Sequence, residues 1–184
     1  MKPITLDKGI ATPNYDKKKK EDAPKSAYAR LGHTKVETAE LVEKLNLLLA
    51  NYSVHYQKLR NFHWNVKGPE FFDIHEKFET QYNDAKLAID EIAERIRVFG
   101  YTPYSTMREF LDHAEIKESG TDLTAHEMVS EIIKDYERLL VHLYEVIEVA
   151  LNMSDSGTED MMKSFVKQIE TNHWMMSAFN FSEQ

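Results

Sequence analysis

HWNVKGPEFFDIH, residues 63–75, sets a histidine at each end of a Gly68-Pro69 break and so interrupts a long apolar-periodic stretch. Glycine adopts backbone angles that other residues resist, and proline cannot continue a helix from within, so the pair marks a sharp turn between two long segments. Working outward, the remaining breakers after the first 33 residues are Gly100 with Pro103, Gly120 and Gly157. They divide the chain into long segments at 35–66, 70–99, 124–153 and 158–181, with a short, a long and a short connection between them.

Both the spacing of apolar residues and the starts of the segments point to helices. Leu41, Leu45, Leu48, Tyr52, Leu59 and Phe62 recur at three- and four-residue intervals in the first. Phe71, Phe78, Tyr82, Ala85, Ile89, Ile92 and Ile96 do so in the second, and Met128, Ile132, Leu139, Leu143 and Ile147 in the third. The last carries Met161, Phe165, Ile169, Trp174 and Phe179 less regularly. A Ser or Thr followed three residues later by Glu satisfies two orphan backbone donors at a helix start. It occurs at Thr34/Glu37, Thr106/Glu109, Thr124/Glu127 and Ser156/Glu159, while Pro69 suits the first turn of the second helix. The expected fold is all-α: a four-helix bundle whose second and third long helices run parallel, joined by a crossover with a short helix over 106–114.

With 184 residues, 42% apolar and 29% charged, the chain is sized for one well-buried core, so residues 34–184 are expected to form a single bundle domain. There is no apolar run long enough for a membrane span and no apolar leader at the start, which gives a cytoplasmic expectation with no membrane contact. Absence of cysteine removes disulfide and thiolate chemistry. Any metal site must therefore use imidazole and carboxylate, a donor set suited to iron, manganese or zinc. Charge is unevenly spread: residues 1–30 hold eight Lys and Arg against four Asp and Glu, leaving 15 against 27 for the rest. A basic tail, residues 1–33, precedes an acidic body.

Four titratable residues share one sector of the second helix. Taking about 100° per residue, His75, Glu79, Asp90 and Glu94 lie at about 0°, 40°, 60° and 100°. His75 and Asp90 are nonetheless about 22 Å apart along the axis, so one ion cannot take both from a single straight helix. His63 lies at the turn, close to His75. The histidines cluster at one end and the carboxylates at the other, and a second copy related by a two-fold axis brings each histidine end against the other copy's carboxylate end. A Glu-x-x-His at Glu170 and His173 has no second copy in the chain and is set aside as a di-iron motif.

The run His63-Trp64-Asn65, then Gly68, Phe72, His75 and Phe78, followed by Asp90, Ala93, Glu94 and Arg95, resembles the signature of the Dps mini-ferritins, a ferritin-like family, over nearly the whole chain from residue 35 on. The resemblance implies a twelve-subunit hollow shell with iron sites at its two-fold interfaces. It assigns His63, His75 and Glu79 to one subunit of each site and Asp90 and Glu94 to the partner. Glu79 stands where many relatives have Asp, leaving open a direct or a water-mediated contact. It further implies that paired iron(II) ions are oxidised, preferentially by hydrogen peroxide, and stored as ferric mineral, with DNA spared oxidative damage; the imidazole and carboxylate donor set itself admits zinc as a competitor. Trp64 is read both as an electron donor when one iron is bound and as an apolar interface residue. Asp155, Glu159 and Asp160 fall where the family has three-fold pores, and rings of acid there attract iron(II); the alternative reading of the same residues is helix capping and dipole complementarity at the start of the last helix.

The tail supports a second function. Lys17, Lys18, Lys19 and Lys20 lie in a stretch without apolar periodicity, and lysine-bearing tails of some family members bind DNA through phosphate contacts without sequence preference. Many tails on one shell add avidity, whereas Asp16, Glu21, Asp22 and the acidic body oppose it.

Overall fold

The computed structural model describes residues 26–181. Among them the chain is all-helical, with α1 (Ala27–Arg30), α2 (Lys35–Asn65), α3 (Phe71–Val98), α4 (Met107–His113), α5 (Ala125–Asn152) and α6 (Ser156–Phe179). Capping boxes form as expected at Thr34/Glu37, Thr106/Glu109 and Thr124/Glu127, each with both reciprocal bonds. The fourth does not. Asp155, one residue earlier, is the cap of α6 and accepts from the Thr158 amide. A carboxylate at the positive end of a helix outcompetes the neighbouring serine hydroxyl.

Helix ends follow local chemistry, with two departures from expectation. α3 closes on Gly100 at φ +86°, where the Gly100 and Tyr101 amides cap the carbonyls of Arg97 and Ile96. α5 closes the same way without a glycine: Ser154 takes φ 58°, and Asp155 N–H reaches back to the Ala150 carbonyl. Gly157, expected to separate the last two helices, instead lies inside the first turn of α6. A Cβ there would come within 3.2 Å of the Arg95 guanidinium, so the glycine makes room for that side chain. Pro69 likewise sits in the turn before α3, not within its first turn.

Interhelical ion pairs fix the directions. Lys44 of α2 meets Glu145 of α5, and Lys58, further along α2, meets the earlier Asp135, so these helices are antiparallel. The tight turns make α2 with α3 and α5 with α6 antiparallel hairpins, which leaves α3 parallel to α5 and requires the long crossover. Buried asparagines hold that crossover: Asn51 Oδ1 accepts from the Glu115 and Ile116 amides at 3.0 and 2.9 Å, and Asn46 Oδ1 from Tyr104 at 2.9 Å.

Leu41, Leu45, Leu48, Leu59, Phe62, Phe78, Ile92, Ile96, Met128, Ile132, Leu139, Leu143 and Met162 are fully enclosed. Each such side chain contributes about 1.5–3 kcal/mol of transfer free energy. α6 is rotated from its expected stripe. It buries Met162, Phe165, Val166, Ile169 and Met176, while Trp174 is 66% exposed. At the other end, residues 26–33, assigned to the tail by sequence, include α1, which packs Tyr28 against Tyr101 and His33 against Phe99. Tyr28 and Tyr101 supply apolar area that a solvated tail would leave wet. Lys17, Lys18, Lys19 and Lys20 lie outside the described residues.

Candidate metal centre

The α2–α3 turn brings His63, at the last turn of α2, against His75, at the first turn of α3. Their rings stack at 3.8 Å with 23° between planes. The two residues exchange hydrogen bonds: His63 Nδ1 lies 2.9 Å from the His75 carbonyl oxygen, and His75 Nδ1 lies 2.8 Å from the His63 carbonyl oxygen. A carbonyl only accepts, so both Nδ1 atoms carry the proton and donate. In the neutral ring this leaves each Nε2 with an open lone pair, the tautomer a metal ion requires. His63 is buried and Phe71 stacks on His75 at 4.9 Å, so neither ring turns freely.

Glu79, one turn beyond His75, completes a group whose ligand atoms all lie within 4.8 Å of one another. Two imidazole nitrogens and a carboxylate oxygen suit a borderline divalent cation such as iron(II) or zinc(II). Three protein donors leave open positions on such an ion, for water or for further side chains. Asp90 and Glu94, the other expected ligands, are exposed on the same helix about 22 Å and more from His75, and this chain does not bring them to the group.

Tyr82 was read from sequence only as part of the apolar stripe. Its hydroxyl lies 3.4 Å from Glu79 Oε1, and its ring meets His63 edge-on at 5.3 Å. Burial, then the Glu79 carboxylate, holds its phenol above the usual value. The signal was available as spacing, since residues three and seven positions after a ligand share its helical face. Trp64 is 58% exposed, with the Arg60 guanidinium 4.7 Å over its ring, so it presents a broad apolar face beside the site.

The expected pore acids separate. Asp155 is buried: one oxygen takes Arg95 Nη2 at 2.5 Å and the other takes the Thr158 hydroxyl. Burial alone would raise its pKa, but the Arg95 and Thr158 hydrogen bonds overcome it and hold the carboxyl below its usual range. Asp155 is thus a helix cap and the ion-pair partner of Arg95. Glu159 pairs with Lys163, and Asp160 is exposed. Glu170 and His173 engage Tyr144 and Glu137 separately, as a surface pair without a metal role would. Among the described residues no helix is long and apolar enough to cross a membrane.

A family model described as the ferritin-like domain matches residues 42–180. The chain is 45% identical over 140 residues to DNA protection during starvation protein 2 of Bacillus anthracis, covering 76% of this chain and 96% of that one. Among solved structures, Dps from Staphylococcus aureus aligns with a TM-score of 0.75 at 39% identity, covering 78% of this chain and 96% of that chain. The Dps protein of Vibrio cholerae O1, described as a member of a broad superfamily of ferritin-like diiron-carboxylate proteins, aligns with a TM-score of 0.81 at 33% identity, covering 85% and 99%.

Proposed function

This chain belongs to the ferritin-like family, within its Dps branch, and from that premise we propose that it oxidises iron(II) at sites shared between two copies and stores the ferric product inside a closed shell of about twelve copies. The observation that carries this reading is the reciprocal His63 and His75 pairing beside Glu79: a donor set pre-oriented for a divalent cation, with coordination positions left open for further ligands. Asp90 and Glu94 of a second copy are the missing donors, since they share the sector of α3 that carries His75 and Glu79.

Hydrogen peroxide is the preferred oxidant in this reading. Two iron(II) ions each give one electron, the O–O bond breaks, and with two protons the products are two iron(III) ions and two waters. Taking both electrons together leaves no hydroxyl radical, and this spares nearby DNA. Trp64 donates an electron when one iron alone is bound. Glu159 and Asp160, with Asp155 paired to Arg95 beside them, attract iron(II) toward the interior. Zinc competes for the same donors. The test is light scattering followed by anaerobic iron(II) titration and peroxide addition. A particle about twelve times the 21.5 kDa chain that oxidises two iron ions per peroxide supports the proposal. A monomer that binds iron(II) through the same residues overturns it.

A second reading, non-specific DNA binding through Lys17, Lys18, Lys19 and Lys20, is favoured by the basic balance of residues 1–30 and by the names of the curated relatives. It fits a cytoplasmic protein associated with the chromosome. A gel shift is expected at low salt, weakening steeply as salt rises, and is lost when residues 1–25 are removed. No shift at low salt removes the DNA role and leaves iron chemistry untouched.

A further inference from the structure

We propose that Tyr82 is a positioning residue for the metal centre: its hydroxyl holds one oxygen of Glu79 and so presents the other to the ion. This rests on the reading of His63, His75 and Glu79 as iron ligands. Glu79 is exposed, and among the described residues the Tyr82 hydroxyl is the one hydrogen-bond partner of its side chain. Tyr82 is placed to orient it. Its ring is held edge-on by His63 at 5.3 Å and 81° on one side and by Tyr56 at 6.2 Å and 81° on another. Tyr56 in turn lies under the Arg60 guanidinium at 5.3 Å. The phenol therefore has little freedom, and its hydroxyl points at Glu79 Oε1 from 3.4 Å.

That separation is long for an O–H to carboxylate bond. Hydrogen bonds of this kind tighten when the partner takes up its working position. A donor on the oxygen that does not face the metal is the usual support for a ligating carboxylate, fixing which lone pair is offered. Tyr82 touches two of the three candidate ligands at once, the His63 ring and the Glu79 carboxylate. It thereby couples the orientation of the carboxylate on α3 to that of the imidazole on α2. The contact also bears on whether Glu79 binds directly or through water: a carboxylate held at one oxygen can be presented at a fixed distance from the paired imidazoles.

The test uses the full assembled protein and cobalt(II) as an anaerobic probe, read by titration calorimetry and by the visible ligand-field band. Tyr82→Phe keeps the ring contacts and removes the hydroxyl. It is expected to weaken cobalt(II) binding by about 10- to 100-fold and to alter the band, with particle size and thermal midpoint unchanged. In a Glu79→Ala background the same substitution is expected to have no further effect, because Tyr82 acts through that carboxylate. Wild-type affinity in Tyr82→Phe, additive losses in the double variant, or failure of Tyr82→Phe to assemble each overturn the proposal. His63→Ala serves as the separate arm: if it too binds cobalt(II) normally, the ligand assignment itself falls.

Discussion

Removing both imidazoles, as His63→Ala with His75→Ala, is expected to slow iron(II) oxidation by more than about 100-fold, beyond the loss that follows from removing a supporting group at a metal site. Removing both carboxylates, as Asp90→Ala with Glu94→Ala, is expected to do the same. The informative result comes from co-assembling the two variants from mixed unfolded chains. In the proposed arrangement each two-fold interface holds two sites, and each site takes its histidines from one copy and its Asp90 and Glu94 from the other. In a mixed pair one site lacks both histidines and both of Asp90 and Glu94, and the other is whole. Random assembly makes half of the pairs mixed, so about one quarter of the wild-type sites are recovered. If all four residues served one ion within a chain, the mixture would stay as inactive as its parents. Stopped-flow absorbance after peroxide addition reads the difference, and particle size measured on the same samples excludes trivial misassembly. The geometry behind this is the distance from His75 to Asp90, about 22 Å along a straight helix, which no side-chain rotation closes.

How far this could be read from the sequence depends on what fixes each feature. The turn at Gly68, the three capping boxes and the apolar periodicity of α2, α3 and α5 are set by residues within a few positions of one another, and they emerge from spacing alone. The sector shared by His75 and Glu79 does as well, because helical pitch is nearly constant. What spacing does not show is how neighbouring helices are turned toward each other. Asp155 reads as one of three acids at a helix start, yet the approach of Arg95 buries it as a cap. Trp174 reads as part of an apolar stripe, yet the rotation of α6 leaves it outside. The exchange of Nδ1 bonds between His63 and His75 depends on how closely the hairpin turn brings α2 and α3 together. Sequence suggests that the two histidines are near each other, and the structure adds that each leaves the same ring nitrogen free.

Substituting Asp135 by Ala is expected to destabilise the fold by about 3–5 kcal/mol, a large share of the 5–15 kcal/mol that holds an ordinary domain together. Asp135 of α5 accepts from Lys58 Nζ at 2.7 Å and from His55 Nδ1 at 3.0 Å, and the side chains are 6%, 3% and 2% exposed. Without the carboxylate, a buried ammonium and a buried N–H lose their acceptor together, and water cannot easily replace it. Removing the whole group is a different perturbation from breaking it. A triple variant, Lys58→Met, His55→Phe and Asp135→Leu, leaves no unpaired charge, and such exchanges of buried ion pairs for apolar side chains of similar volume run from neutral to stabilising. Urea midpoints at one fixed protein concentration are therefore expected to fall steeply for Asp135→Ala and to recover in the triple variant. Equal losses in both would mean that the three residues stabilise the bundle through packing shape and not through charge compensation. Because Lys58 lies on α2 five residues before His63, oxidation by the single variant is expected to decline with the folded fraction, while the affinity of the remaining folded sites for iron(II) stays that of the wild type. The triad locks α2 to α5 and shares no residue with the candidate metal group His63, His75 and Glu79.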